Sequence, residues 1–410
     1  MARTDTSARL QIDGVSPAAT ATPESAEELA TVLGRAAVDG ATVVPVGGAT
    51  SLGLGNVPDR VDLALHVGGL SHVLAYEPAD LTLSVEAGAT ITSIQATLGE
   101  HGQELPIEVP FPDRATIGGV VATGFAGPRR LGDGTLRDLL IGASVARTDG
   151  TLSKSGGMVV KNVSGFDLAR LMHGALGTLG VLTSVNLKVL PAAKADRTLL
   201  IDGDLGKQTR AALAACRFPL RPTSIEIVLT GAGSRLAFRL RGTTSGVDEQ
   251  TRELRSFFGV EGLEVCEQLD GAVSVSWWQH LLDHWGGEPS DRAQLFVRVR
   301  PRRAAELLCL LREAVGSGDE GDEAICAPGL GFARLRLPVL VSEPGLWLRS
   351  TQARWLGATD DVVFESAPAD AKRGVDVWGR SPAALSVMRT LKHELDPSGA
   401  LNRGRYVDFL

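Results

Sequence analysis

Cysteine is scarce in this 410-residue chain and never clustered: Cys216, Cys266, Cys309 and Cys326 stand alone, with no C-x-x-C pair. Neither an iron–sulfur cluster nor a structural zinc ion has ligands at a workable spacing, and four isolated thiols read as buried free cysteines. Long apolar runs are missing as well. Uncharged stretches such as residues 115–128 are broken by glycine and too short to cross a bilayer, and the polar first residues contain no apolar signal segment. The expected location is the cytoplasm. Positive charge is not in excess, since the net charge is −7 and residues 1–190 carry 13 Lys and Arg against 19 Asp and Glu. That balance argues against a nucleic-acid partner. Tryptophan is absent from the first 276 residues, whereas 26 of the 48 glycines precede Pro191. In a chain long enough for two or three domains, this asymmetry predicts two domains with different tasks.

Residues 24–39 place Leu29, Val32, Leu33 and Ala36 on one helical face, beginning after Thr22. β-Branched runs at 42–46, 61–65, 81–85, 139–147 and 181–189 predict strands, separated by turn signals such as Glu77-Pro78, Thr148-Asp149-Gly150 and Pro191. Beyond residue 199, strands are expected at 224–229, 235–240 and 295–299, and helices at 250–258 and 303–315. The fold class is α+β in both halves.

Three glycine-rich stretches carry most of the chemical information. The first, Val46-Gly47-Gly48-Ala49-Thr50-Ser51-Leu52-Gly53-Leu54-Gly55, follows an apolar strand. Glycines there allow backbone N–H groups to converge on a phosphate or pyrophosphate, with Thr50 and Ser51 as added donors; a plain glycine-rich hairpin loop is the alternative. It is not a P-loop, because Leu54 stands where lysine is required, and no G-x-G-x-x-G fingerprint is present. The second stretch runs from Pro110 through Thr116-Ile117-Gly118-Gly119 and Thr123-Gly124 to Gly134. The third runs from Lys161-Asn162-Val163-Ser164-Gly165-Phe166-Asp167-Leu168 to Gly177-Thr178-Leu179-Gly180-Val181.

In this order the three stretches resemble the FAD-binding domain of the vanillyl-alcohol oxidase and p-cresol methylhydroxylase (PCMH-type) superfamily. Within it, residues 161–172, Leu187-Lys188-Val189-Leu190-Pro191 and the closing Asp396-Pro397-Ser398-Gly399-Ala400-Leu401-Asn402 are most similar to the FAD-binding subunits of glycolate oxidases. The resemblance implies a two-subdomain PCMH-type FAD-binding domain over residues 1–192. A smaller α+β domain over 193–410 would follow, its last stretch, about 390–410, returning to the flavin. The implied cofactor contacts are Gly47, Gly48, Ala49, Thr50, Ser51 and Leu52 at the pyrophosphate, then Thr116, Gly118, Gly119, Thr123, Gly124, Gly180, Val181 and Asn402. Covalent attachment in the superfamily often uses a histidine in the first loop; here that place is Ala49, so FAD is expected to be noncovalent.

The implied reaction is flavin-dependent oxidation of glycolate to glyoxylate, in a complex with a second flavin subunit and an iron–sulfur subunit, through which any membrane association would arise. A self-sufficient 2-hydroxy acid dehydrogenase and a non-catalytic flavin-bearing interaction subunit are the alternatives. Related catalytic subunits carry an H-x-G-x-G-N-x-H metal segment, but the comparable residues here, 325–334, keep glycines without the histidines. No metal is expected, and the residue that takes the proton is left unassigned. Arg334 and Arg336 could bind a carboxylate, although solvated strand charges are the expectation for them and for the basic run at 298–303. His280 and His284, four residues apart, lack a third ligand nearby. Trp278 and Trp285 should fill a core, while Trp347, Trp355 and Trp378 are the expected partner-facing residues.

Overall fold

The computed structural model describes residues 10–158, 167–216, 220–286, 291–316, 322–339 and 342–410. The Lys161–Gly165 part of the third stretch lies outside the described residues.

The first helix, Ala26–Val38, starts later than the sequence suggests, because Ser25 caps it by accepting a hydrogen bond from the Glu28 N–H. Its buried Leu29, Leu33 and Ala36 cover a small parallel sheet ordered Ala19–Ala21, Leu63–His66, Val43–Val46. The end of the chain extends this sheet: Val43 N–H donates to Ala400 O at 2.8 Å, and Asn402 N–H donates to Val43 O at 2.9 Å. A contact between residues 359 apart in sequence, Val43 and Asn402, thus places Asn402 beside the first glycine loop.

A five-stranded antiparallel sheet follows, ordered Val73–Glu77, Thr82–Glu86, Val181–Lys188, Leu140–Ala146, Leu152–Gly156. The short helix Ile117–Thr123 lies against it, with Gly118 N–H donating to Ala87 O at 2.8 Å. After Leu190–Pro191 pairs with Gln103–Glu104, the chain enters a third sheet at Ala195. This sheet has eight strands, all paired antiparallel, in the order Glu267–Asp270, Ala195–Asp202, Gly233–Gly242, Ser224–Thr230, Glu323–Ala327, Phe332–Pro338, Arg292–Arg298, Asp361–Ser366. The C-terminal half, read as the smaller unit, therefore carries the largest sheet. Helices Leu205–Ala215, Thr244–Val260, Ala304–Val315 and Pro344–Ala358 supply the core on one face, while Trp278 of helix Ala272–Gly286 is buried against the other.

Several expectations are corrected by packing. Trp355 is 4 % exposed and belongs to the core rather than to a partner surface. Cys216, Cys266 and Cys309 are exposed, and only Cys326 is buried; Cys216 caps the end of a helix, Cys309 lies on the outer face of helix Ala304–Val315, and Cys266 directly precedes edge strand Glu267–Asp270. Among the described residues, no helix is long and apolar enough to cross a membrane.

Charge holds the first half to the second. Arg239, 1 % exposed, bonds Asp196 on its own sheet and Glu108 from the N-terminal half; Arg241 bonds Asp196 and Glu104, and Arg129 also reaches Glu104. Burial pushes the Asp196 carboxyl up, but hydrogen bonds and charge from Arg239, Ser274 and Arg241 outweigh it and hold the group below the ordinary 3.8.

Candidate active site

A cleft of about 410 Å³, within the usual range of ligand pockets, opens between the first half and the eight-stranded sheet. One wall comes from the first half and the C-terminal segment, the other from the eight-stranded sheet.

On the first wall, the chain leaves strand Val43–Val46 into the glycine loop. A side chain at Gly47 would sit 2.2 Å from Thr116 Oγ1, and one at Gly48 would sit 1.7 Å from the Arg114 carbonyl oxygen. The two loops are packed backbone to backbone, which only glycine permits. Ala49 then adopts a left-handed conformation, φ 55°, so successive N–H groups turn inward as in an anion-binding nest. Among the described residues, none accepts a hydrogen bond from the backbone N–H groups of Gly48, Ala49, Thr50 or Ser51. Free, convergent donors at the mouth of a glycine cradle suit a pyrophosphate, and the structure therefore fits the cofactor that the sequence suggests.

Thr116 caps helix Ile117–Thr123 through its side chain, accepting from Gly119 N–H at 3.3 Å. Gly119, Thr123 and Gly124 line the cleft together with Gly47, Gly48, Ala49, Thr50, Ser51, Leu52, Thr116 and Asn402. Asn402, at φ 44°, donates to Leu176 O at 2.5 Å. Three of the sequence-derived positions lie elsewhere. Gly118, Gly180 and Val181 border a smaller cavity of about 60 Å³ that adjoins the cleft through Pro45, Gly47, Gly119, Ala122 and Gly177. A side chain at Gly118 would crowd Ala87, and one at Gly180 would approach Val145 Cγ1 to 2.4 Å, so these glycines serve close packing.

Sequence reasoning missed Arg405. It is 3 % exposed and donates through Nη2 to Leu52 O and Leu54 O at 2.5 and 2.7 Å, fastening the glycine loop from below. Trp378, read as partner-facing, lines the cleft instead and donates from Nε1 to Arg405 O at 3.0 Å. Nothing local marks either residue, since Arg405 meets the loop only across more than 350 positions and Trp378 is tied to Arg405 rather than to a neighbour in sequence.

The second wall is built from strand residues Gln294, Phe296, Arg298, Arg334, Asp361 and Glu365, with Arg130 from the N-terminal half. Arg334 is not a solvated strand charge: Glu365 takes its Nε and Nη2 at 2.7 and 3.0 Å, and its guanidinium lies 5.2 Å from the Phe125 ring centre and 5.4 Å from that of Phe296. Among the described residues its Nη1 has no partner. Arg336 is also withdrawn from solvent, held by Gln294, Glu323 and the His284 carbonyl. His284 meets Glu323 at 2.6 Å. In the basic run at 298–303, Arg298 pairs with Asp361 and Arg303 with Glu306 and Asp360, but the Arg298 and Arg300 side chains stay largely exposed, as expected of solvated charges. Burial, reinforced by the nearby Arg334 charge, lowers the pKa of Arg130. On this wall Arg130, Arg298 and Arg334 against Asp361 and Glu365 leave one net positive charge, while Arg405 lines the cleft from the first wall. Among the described residues, no three His, Cys, Asp or Glu side chains are grouped to hold a metal ion.

The FAD binding domain family matches residues 17–156. Glycolate oxidase subunit GlcE of Escherichia coli is 41 % identical over 140 residues, an alignment that spans 34 % of this chain and 39 % of that protein. Mitochondrial D-2-hydroxyglutarate dehydrogenase of Bos taurus is 30 % identical over 427 residues, covering 93 % of this chain and 75 % of the relative. The D-2-hydroxyglutarate dehydrogenase of Xanthomonas citri is 25 % identical across 95 % of this chain and 89 % of its own length. Among solved structures, an alkyldihydroxyacetonephosphate synthase superposes with a TM-score of 0.69 at 15 % identity, over 94 % of this chain and 76 % of that one, a likeness of fold alone. From the glycine cradle and these matches together, the chain belongs to the FAD-dependent oxidoreductases that act on 2-hydroxy acids.

Proposed function

We propose that this chain oxidises a small monocarboxylic 2-hydroxy acid, glycolate foremost, with FAD held noncovalently along the first wall of the cleft. The observation that carries the substrate assignment is the single net positive charge of the facing wall, which matches one carboxylate rather than two. The likeness to GlcE supports the same choice. The contacts assigned to FAD are Gly47 to Leu52, Thr116, Gly119, Thr123, Gly124 and Asn402, on a domain taken to span residues 1–192. The flavin, when bound, accepts the hydride; the protein's part is to hold the carboxylate against Arg334, Arg298 and Arg130 and to keep bulk water from the reacting carbon with Phe125 and Phe296.

Anaerobic addition of glycolate should bleach the flavin absorbance, more completely at low concentration than 2-hydroxyglutarate does; the reverse preference would overturn the charge argument. Arg334→Met should raise the KM for glycolate about 10- to 100-fold, the value of a charge-assisted hydrogen bond, while FAD loading stays unchanged. Ala49 offers no imidazole for attachment, so acid precipitation should leave all yellow colour in the supernatant, and colour in the pellet would refute noncovalent binding.

The likeness to a glycolate oxidase subunit favours work inside a complex, whereas dehydrogenases matched along the whole chain, and a cleft with both walls on one polypeptide, favour an enzyme complete in itself. Turnover of the isolated chain with an artificial electron acceptor at on the order of 10 per second would decide for the second reading.

A further inference from the structure

Beside the cleft lies a smaller cavity of about 30 Å³, lined by Glu226, Arg334, Trp285, Phe125, Leu281 and Phe332 among others. It adjoins the cleft through shared residues, Pro110, Phe125, Ala126, Trp285 and Arg334. Two buried polar groups line it. The indole Nε1–H of Trp285 is buried without a hydrogen-bond partner, and Glu226 is only 3 % exposed. Strand Ser224–Thr230 turns Ile225 and Ile227 into the core, so alternation sends Glu226 to the opposite face. No hydrogen bond from a described residue reaches its carboxyl. The volume suffices for one water molecule, which needs at least two polar partners to be stable in a buried site; Glu226 and Trp285 supply them.

The other acids and bases of the cleft are committed elsewhere. Glu365 is held by Arg334 and Gln294, Asp361 by Arg298, and no histidine lines the cleft. We propose that Glu226 receives the hydroxyl proton of the substrate through a water held between its carboxylate and Trp285. The assignment rests on the 2-hydroxy acid reading and adds its missing proton acceptor. In the balanced step the C2–H bond breaks and hydride passes to the flavin, the O–H proton passes through the water to the Glu226 carboxylate, and C2–O becomes the carbonyl of a 2-oxo acid.

Desolvation pushes the Glu226 carboxyl from the ordinary 4.5 up to about 8, against the opposing pull of Arg334 and Arg130. The charged or titratable groups facing it are Arg334 from strand Phe332–Pro338, Arg130 from the N-terminal half and the buried Cys326 thiol on the neighbouring strand, itself pushed up by burial. Helix Ala272–Gly286 presents only Leu281, Leu282 and Trp285 to the cavity. The accepting carboxylate therefore becomes populated as pH rises through about 8.

Glu226→Gln preserves shape and removes the acceptor. The wild-type rate of flavin reduction at low glycolate should rise about 10-fold between pH 7 and pH 9, following the fraction ionised. The variant should be slower by about 100-fold or more and lose that rise, while binding FAD normally. Infrared difference spectra give a readout independent of turnover: the wild-type protein should lose a protonated-carboxyl C=O band near pH 8, a band missing from the variant. A variant that reduces at the wild-type rate with the wild-type pH profile, or that keeps the titrating band, overturns the assignment alone. Wild-type flavin left oxidised by glycolate, lactate and 2-hydroxyglutarate alike would overturn the 2-hydroxy acid reading and this assignment with it.

Discussion

Replacing Gly48 by alanine should give a chain that purifies without colour, with FAD affinity reduced by at least about 100-fold, or roughly 2.7 kcal/mol. The added methyl would fall 1.7 Å from the backbone oxygen of Arg114, and a main-chain carbonyl cannot swing aside as a flexible side chain can. The first loop must then lift away from the segment that leads into helix Ile117–Thr123. The free N–H groups of Gly48 to Ser51 would lose their convergence. Gly68→Ala is the control, because a side chain there meets nothing within 4 Å, and it should load FAD as the wild type does. Normal flavin content in Gly48→Ala would show that the cradle is not where the cofactor is held.

Asp196→Ala should destabilise the protein by about 3–5 kcal/mol, the usual effect of removing one member of a buried charge network. It would strip Arg239 and Arg241 of a shared partner, leaving them only Glu108 and Glu104 across the boundary between the halves. Urea unfolding followed by far-UV circular dichroism and by flavin release measures this. Asp202→Ala, which breaks the exposed pair with Arg235, should cost less than about 1 kcal/mol. The network also sets an acid limit. Burial pushes the Glu104 carboxyl up, but Arg241 and Arg129 outweigh it and hold it below the ordinary 4.5, as Asp196 is held below 3.8. A carboxyl whose pKa is lower folded than unfolded contributes its full stability above the unfolded value and loses it as pH falls through the folded one. Stability from these two groups should thus persist at pH 5 and above and fall away below about pH 4. An Asp196→Ala midpoint equal to the wild type's at pH 7 would remove the network from the account of how the halves adhere.

The α+β class and the strands near residues 42–46, 81–85 and 181–189 were legible because each depends on local pattern, whereas the flavin-type cofactor was legible only through the family resemblance of the three glycine-rich stretches. β-Branched runs between turn residues form strands wherever they pair, and a glycine cluster after a strand permits backbone approach whatever its partner. The resemblance also put Ala49 where an attachment histidine could stand. Tertiary structure decided everything that depends on what lies opposite. Gly118 and Gly180 look like the other loop glycines in sequence, yet only the fold shows that a side chain there would run into Ala87 and Val145. Arg334 reads as an ordinary strand charge until Phe125, Phe296 and Glu365 enclose it. Glu226 sits in an alternating strand, at a position that would face water if the sheet were bare on that side. Helix Ala272–Gly286 and residues 125–128 of the N-terminal half cover it instead. Burial is a property of the whole fold, and because it alters the energy of a charge more than any neighbour in sequence can, the chemistry of the second wall could be found only in three dimensions.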